Sequence, residues 1–186
     1  MFVTERRVSS LRIYGGKHHR REIRFLPNEG IRPTGSRVRK VLFDWLRPVI
    51  SKKDCLDLFS GSGILAFEAL SQGANHVVCI DHNRAICDNI QSEATRLREK
   101  DIEVKCQSIP SALNAAFDIV FMDPPFDQLD RVPDILAELE AQAIFSPSAY
   151  LYIEANKKLE VLKPWKIEKC KQVGDVYMHL WVRDIS

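Results

Sequence analysis

Asp57-Leu58-Phe59-Ser60-Gly61-Ser62-Gly63 is the stretch that decides the fold of this chain. The apolar residues that lead into it from Cys55 predict a buried β-strand, and Ile64-Leu65-Ala66-Phe67 begins a helical pattern directly after it. A strand that enters a helix through a glycine-rich turn is typical of open α/β sheets, which bind ligands beyond the carboxyl ends of their strands. The stretch therefore predicts both a fold class and the place of a site.

The remainder of the chain repeats this alternation of short apolar strands and amphipathic helices. Such a pattern indicates a parallel sheet covered on both faces, and the fold class is α/β. The predicted strands are Cys55–Phe59, Val77–Asp81, Glu103–Gln107, Asp118–Met122 and Ala149–Glu154, and the helices are 64–72, 84–99 and 131–144. Ser62 and Asn83 are expected to cap the first two helices. Trp165–Val173 and Val176–Val182, separated by Gly174-Asp175, predict an antiparallel hairpin at the end of the sheet.

The N-terminal residues have a different character and are strongly basic. Residues 9–26 predict a β-hairpin, residues 31–35 a loop, and Ser36 the cap of a helix. Residues 1–53 carry a net charge of +10 and the rest of the chain −8. We therefore expect a basic extension over residues 1–35, a main domain over 36–186, and a polyanionic partner.

The carboxylates near the glycine-rich turn bear on the cofactor. Asp81 ends the second strand of the alternating region, at the position where ribose hydroxyls bind in such folds. Gly61-Ser62-Gly63-Ile64-Leu65-Ala66 also fits the dinucleotide pattern, so a dinucleotide oxidoreductase stays open. Asp57 argues against it, because a carboxylate repels a pyrophosphate at this turn. It favours the ammonium and sulfonium groups of S-adenosylmethionine.

A second motif, Asp123-Pro124-Pro125-Phe126, follows the fourth of these strands on the same edge of the sheet. The prolines restrict the loop to one shape. The Asp123 carboxylate and the Pro124 carbonyl can accept the two N–H groups of an exocyclic amine and stabilise the positive charge that develops when its nitrogen attacks a methyl group. Phe126 offers a stacking surface for a base. The motif predicts methyl transfer to the amine of a nucleobase.

Other features exclude some classes of protein and site. The five cysteines contain no Cys-x-x-Cys pair, which predicts reduced, buried thiols and no metal site. No apolar run is long enough to span a membrane, and no signal sequence is evident, so a cytoplasmic protein is expected.

From about residue 9 onward the chain resembles the RsmD-like family of bacterial methyltransferases that modify guanine N2 in small-subunit ribosomal RNA. The resemblance rests on Arg12-Ile13-Tyr14-Gly15-Gly16, Arg32-Pro33-Thr34, Arg37-Val38-Arg39, Glu68-Ala69-Leu70-Ser71 and the two motifs above. It implies the Rossmann-like, class I S-adenosylmethionine-dependent methyltransferase fold, with a seven-stranded, mostly parallel sheet that ends in an antiparallel strand. The implied substrate is 16S ribosomal RNA within an assembled or assembling small subunit. The residues leave the oligomeric state open, and a monomer is the default expectation.

The resemblance also implies site residues. It places cofactor contacts on Asp57, Gly61, Gly63 and Asp81, and base contacts on Asp123 and Phe126. From the same two motifs we add Phe59 and Ser60 to the cofactor-binding candidates and Pro124 and Pro125 to the catalytic candidates. Where the family usually has Asp or Asn and then Ala, this chain has Ser108-Ile109-Pro110, so Ser108 or a backbone group is expected to contact the adenine.

The basic extension is expected to dock RNA, because such residues contact phosphates without reading sequence. The RNA-binding candidates are Lys17, Arg20, Arg21, Arg32 and Arg37, with Arg39 and Lys40 nearby. Two further functions stay open beside guanine-N2 methylation. One is methylation of adenine or cytosine amines in nucleic acid, and the other is a non-catalytic RNA-binding or ribosome-assembly role.

Overall fold

A computed structural model describes residues 8–25, 34–109, 113 and 115–184 of the chain. A hairpin of β1 and β2 is followed by four helices and seven further strands, in the order α1-β3-α2-β4-α3-β5-β6-α4-β7-β8-β9. The strands are β1 (Ser9–Arg12), β2 (Glu22–Phe25), β3 (Asp54–Asp57), β4 (His76–Asp81), β5 (Ile102–Cys106), β6 (Phe117–Met122), β7 (Phe145–Ala155), β8 (Trp165–Val173) and β9 (Val176–Arg183). The helices are α1 (Ser36–Leu46), α2 (Ile64–Ser71), α3 (Arg84–Leu97) and α4 (Val132–Ala141). None of the described helices is long and apolar enough to cross a membrane.

The seven-stranded sheet has the order β5-β4-β3-β6-β7-β9-β8. Strands β3 to β7 are parallel, whereas β9 is antiparallel to both of its neighbours. The chain moves outward from β3 to β4 and β5 and then returns to place β6 on the other side of β3. This reversal opens a crevice beyond the carboxyl ends of β3 and β6, which is where ligands bind in such sheets. The predicted α/β fold, with its antiparallel end and N-terminal hairpin, is confirmed.

Two hydrophobic cores cover the two faces of this sheet. The first contains Val38 and Leu42 of α1, together with side chains of α2 and α3. The second contains Leu136 and Leu139 of α4 and also Trp181 of β9. Because both faces are buried, the central strands are continuously apolar, as the sequence indicated.

The predicted boundaries of the main sheet and of α2 to α4 agree with the observed ones to within one residue except at four ends. Two of these are the ends of α3, at Leu97 and not 99, and of α4, at Ala141 and not 144. The first strand of the sheet ends at Asp57 rather than Phe59, and β7 begins four residues earlier than predicted, at Phe145. Asn83 caps α3, since its side chain accepts the N–H of Ala85 at 2.9 Å. Two predicted caps are wrong: Gly35 and Gly63 occupy the N-cap positions of α1 and α2, with no side-chain cap. Backbone geometry at these glycines replaces the hydroxyl group that we expected.

The hairpin is packed tightly against the main sheet domain. Ile13 and Ile23 are fully buried in the first core. Both strands, Ser9–Arg12 and Glu22–Phe25, lie within the predicted hairpin of residues 9–26, whose last residue lies outside the described part of the chain. The turn at Gly16 meets the end of α2, where a Cβ on Gly16 would lie 1.5 Å from the Ser71 carbonyl oxygen. Only glycine fits this contact.

A buried ion pair between Arg39 and Glu68 connects three segments, namely the hairpin, the loop that precedes α1, and helix α2. Arg39 donates to Glu68 Oε1 at 3.0 Å, to the Arg12 carbonyl at 2.9 Å and to the Thr34 carbonyl at 3.1 Å, and both charged side chains are 1% exposed. Glu68 also accepts the Tyr14 N–H at 2.8 Å. Our inclusion of Arg39 among the RNA-docking cations is therefore wrong, because this guanidinium faces the interior.

The cysteines are free thiols, as expected, but only partly buried. Cys55, Cys79 and Cys87 are buried, whereas Cys106 and Cys170 are exposed. The expectation of burial fails at these two positions because β5 and β8 are the edge strands of the sheet.

Candidate active site

A cavity of about 1150 Å³ occupies the crevice at the carboxyl ends of the parallel strands. Its wall includes residues at or just beyond the ends of β3, β4, β6 and β7, the start of α1 and the turn between β8 and β9. Both sequence motifs border this one cavity, although 66 residues separate Asp57 from Asp123. The reversal in strand order brings them together.

Asp57 is the most unusual side chain of the cavity. It is 1% exposed, and neither carboxylate oxygen has a well-formed hydrogen bond within the described part of the chain. Burial, together with the Asp123 and Asp81 carboxylates, raises the pKa of Asp57 to about 8, although the nearby Phe59 N–H lowers it. A buried acid without a partner is costly. It is therefore suited to a cationic group that enters from the cavity.

This environment predicts a pH-dependent stability for the protein without its cofactor. Between pH 4 and 8 the folded state keeps a proton on Asp57 that the unfolded chain has released, so stability falls as the pH rises through this window. We expect Asp57→Asn to remove this component. The free energy of unfolding of the variant, minus that of the wild type, should increase by up to about 1.4 kcal/mol per pH unit. This difference should become constant above pH 8.

Urea unfolding of both proteins at intervals from pH 5 to 9 measures this difference. The titrating groups outside the cavity are common to both proteins and cancel in the comparison. A difference that stays constant across the range would show that Asp57 is ionised in the folded protein at low pH.

The glycine-rich turn brings backbone to the cavity wall. Gly63 has φ +75°, and a Cβ there would lie 3.1 Å from Ile90 Cγ1, so the packing of α3 against the turn requires glycine. The Gly63 N–H donates to the Ser60 carbonyl at 2.6 Å, and Ser60 Oγ donates to the Asp57 carbonyl at 3.0 Å. Phe59, Ser60 and Gly61 line the cavity, whereas Gly63, also predicted to contact the cofactor, is not among the lining residues and instead shapes the turn.

Asp81 also lines the cavity, where the backbone fixes its carboxylate. Oδ2 accepts the Gly61 N–H at 3.1 Å, and Oδ1 accepts the Asn83 N–H at 2.9 Å. Each oxygen keeps a second lone pair, which can accept a hydroxyl group of a ligand. Ser108, predicted to contact an adenine, is exposed and lies on the wall with Ile109, while Pro110 is outside the described residues.

The Asp123 loop forms the opposite wall. Thr34 Oγ1 donates to Asp123 Oδ2 at 3.3 Å, so the loop before α1 contacts the predicted catalytic carboxylate. Pro124 is buried and Pro125 exposed, and Phe126 is half-buried against the second core at the start of a 3₁₀ segment. All four predicted catalytic residues line the cavity.

Sequence reasoning missed Glu154, the next-to-last residue of β7. It is 4% exposed, lines the cavity and accepts the Tyr152 hydroxyl at 2.9 Å. Burial raises the pKa of Glu154 well above its usual value, and the Asp123 and Asp57 carboxylates add to the shift. The sequence did contain a signal for this residue, because a glutamate that ends an otherwise apolar strand indicates a polar group at the edge of the sheet where ligands bind. The cavity therefore collects five acidic side chains, those of Asp57, Asp81, Asp123, Asp127 and Glu154, a setting for polar and cationic ligands and not for phosphates.

The predicted RNA-binding residues are not gathered at this cavity. Arg37 lines it, together with Arg131, which we had not predicted. Lys17 forms an ion pair at 2.7 Å with Glu99, which follows the C-terminal end of α3. In the same turn, the His18 N–H donates to the hydroxyl group of Ser71, the last residue of α2. Because α2 and α3 begin at the cavity and are about 12 and 21 Å long, the hairpin tip lies at the opposite end of the domain. Arg20 and Arg21 are exposed at that tip, and Arg32 lies outside the described residues.

Comparison with known proteins adds an independent finding. Residues 11–182 match the family described as "Conserved hypothetical protein 95". Ribosomal RNA small subunit methyltransferase D of Haemophilus influenzae is 34% identical over 180 residues, which are 92% of this chain and 93% of that protein. The Escherichia coli protein of the same name is 33% identical, over 94% and 90% of the two chains. The solved structure of Escherichia coli yhhF has a TM-score of 0.85 at 32% identity and covers 96% of this chain and 100% of its own.

Proposed function

The chain belongs to the Conserved hypothetical protein 95 family, and on this premise we propose that it methylates the exocyclic N2 amine of one guanine in 16S ribosomal RNA. Its activity is the S-adenosylmethionine-dependent methylation of small-subunit ribosomal RNA, as the names of its relatives indicate. The base and the atom are the parts that we infer. The observation that carries the proposal is the meeting of Asp57 and Asp123 on one cavity at the reversal of strand order.

The residues of the cavity fit this cofactor. S-adenosylmethionine supplies a methyl group that its sulfonium has already activated. The buried carboxylate of Asp57, without a partner among the described residues, suits the cationic end of the molecule, and Asp81 suits its ribose hydroxyls. A dinucleotide would bring phosphates to an acidic wall, so the oxidoreductase alternative is disfavoured. The proposed cofactor-binding residues are Asp57, Phe59, Ser60, Gly61, Gly63, Asp81 and Ser108.

On the other wall, the protein prepares the amine for attack. The Asp123 carboxylate and the Pro124 carbonyl accept its N–H groups, and their negative charge stabilises the positive charge that grows on the nitrogen. Phe126 and Pro125 hold the base by stacking and packing. Thr34 Oγ1 keeps one oxygen of Asp123 in position. Alignment of the two reactants in one cavity provides much of the remaining acceleration.

The Asp57 assignment leads to a prediction about cofactor affinity. Asp57→Ala removes the carboxylate but leaves the glycine-rich turn, so we expect S-adenosylmethionine to bind at least tenfold more weakly. Isothermal titration calorimetry of the wild type and the variant measures the change, with Asp54→Ala as a control on the same strand. Equal affinities for wild type and Asp57→Ala would remove Asp57 from the cofactor site.

The substrate context is also part of the proposal. The described cations at the cavity edge are few, which favours a substrate whose shape is fixed by other components, namely an assembled or assembling small subunit. We propose that the enzyme acts as a monomer in the cytoplasm, with residues 1–35 as an extension of the methyltransferase domain 36–186.

The decisive experiment identifies the methylated nucleoside. The protein is incubated with labelled S-adenosylmethionine and, separately, with unmodified naked ribosomal RNA, unmodified small subunits and duplex DNA, and each product is digested to nucleosides. We expect N2-methylguanosine from subunits. Label on adenine or cytosine would retain the chemistry and reject the base. No label, together with no binding of S-adenosylmethionine, would favour a non-catalytic RNA-binding role.

A further inference from the structure

The outer strand of the sheet, β8, carries its lysines on one face. Cross-strand partners share a face, and Lys166, Lys169 and Lys171 are paired in register with Val182, Leu180 and Met178 of β9. Leu180 and Met178 belong to the first core, so the three lysines lie on the face of the sheet that α1 covers. A bulge at Glu168 makes this possible, because without the extra residue Lys166 and Lys169 would point to opposite faces.

This row of lysines extends from the edge of the candidate active site. Met178 pairs with Lys171 on one side and with Glu154 on the other, which places Lys171 level with a residue of the cavity wall. Two strand spacings separate them, or about 10 Å between backbones. Lys169 lies two residues before Lys171 on the same face of β8, further from the cavity, and is level with Tyr152. The row therefore leads outward from the cavity along the sheet edge.

The charge distribution indicates what this row can bind. Phosphates are disfavoured in the cavity, where Asp57, Asp81, Asp123 and Glu154 gather. A flipped or exposed base can enter, but the phosphates on either side of it need cations outside the acidic wall. Arg37 provides one cation at the edge, and the β8 lysines provide the next ones on the same face.

Lys169 and Lys171 are available for such contacts. Both are exposed, and among the described residues the structure records no ion pair for either, whereas Lys166 lies 3.8 Å from Asp184. Lysines also protect edge strands from pairing with other chains. Lysines on either face of β8 would protect the edge equally well. Edge protection therefore does not explain why these lysines share one face, or why this face meets the cavity.

We propose that Lys169 and Lys171 hold phosphates of the RNA strand next to the target nucleotide, so that the substrate crosses β8 and α1. This inference rests on the proposed function, because it assumes an RNA substrate. It assigns RNA docking near the cavity to the hairpin of β8 and β9. Lys17, Arg20 and Arg21, at the opposite end of the domain, can contact only distant parts of a large particle.

The test compares three double variants that each lose two positive charges. Lys169→Gln with Lys171→Gln removes the row, and Arg20→Gln with Arg21→Gln removes charges from the N-terminal hairpin tip. Lys52→Gln with Lys100→Gln changes two exposed lysines at the opposite end of the sheet. For each protein, kcat and KM on unmodified small subunits are measured at several salt concentrations, with calorimetry of S-adenosylmethionine binding.

We expect the β8 variant to raise KM by about 3- to 30-fold, with kcat and cofactor affinity unchanged. The slope of log KM against log salt should fall by about 2, one for each lost phosphate contact. The Lys52 and Lys100 variant should match the wild type. A β8 variant with wild-type KM and salt dependence, or with lower kcat alone, would overturn the proposal. Failure of the proposed function would look different, because the wild type itself would then not methylate subunits.

Discussion

Asp123→Ala is expected to lower turnover on small subunits by about 10²- to 10³-fold while S-adenosylmethionine affinity stays within a few-fold of the wild type. The carboxylate stabilises charge that exists only as the amine attacks, so its removal affects kcat far more than ground-state binding. It also removes one of the negative charges that raise the pKa of Asp57. Cofactor binding therefore has no reason to weaken strongly.

Single-turnover methylation with labelled cofactor measures the rate of the chemical step directly. Asp130→Ala is the matched control, because Asp130 is an exposed carboxylate seven residues further on, with its side chain 94% exposed. The control should turn over like the wild type. If Asp123→Ala also methylated at the wild-type rate, Asp123 would have no part in the mechanism.

Arg39→Met is expected to destabilise the fold by about 3–5 kcal/mol, because it leaves the Glu68 carboxylate buried beside two carbonyl groups that have lost their donor. For a chain of this size the loss corresponds to a decrease in melting temperature of about 6–20 °C. Thermal and urea unfolding measure it. Lys40→Met, at an exposed neighbouring position of the same helix, should change stability by less than about 0.5 kcal/mol.

The double variant Arg39→Met with Glu68→Gln tests the cause. The amide that replaces the Glu68 carboxylate can still accept the Tyr14 N–H but carries no charge, so the double variant should be more stable than Arg39→Met alone by more than about 1 kcal/mol. Additive losses would mean that the two side chains contribute independently. The electrostatic explanation would then be wrong.

The sequence predicted the sheet because its signals are local. Short apolar strands, the turn at Gly61 and Gly63 and the hairpin at Gly174-Asp175 each depend on a few neighbouring residues. The meeting of the two motifs also followed, since parallel strands end at one edge of a sheet. The predicted serine caps failed because a glycine in a suitable backbone conformation can begin a helix without a side-chain cap.

The remaining features depend on contacts between distant segments. Arg39 has the spacing of a helix-surface cation, and only the position of Glu68 on another helix shows that both are buried. Glu154 belongs to a strand that otherwise reads as core. The hairpin tip is basic in sequence, yet its direction depends on the contact between Gly16 and the end of α2. No local pattern contains this information.

The inner position of β9 determines when the protein can complete its fold during synthesis. β8 is made first but touches the sheet only through β9, which is made later and lies between β7 and β8. A nascent chain that has emerged only as far as residue 175 therefore presents an open edge on β7 and a β8 strand without its partner, and such edges promote association with other chains. The sheet closes only when Val176–Arg183 has been translated and has inserted between β7 and β8.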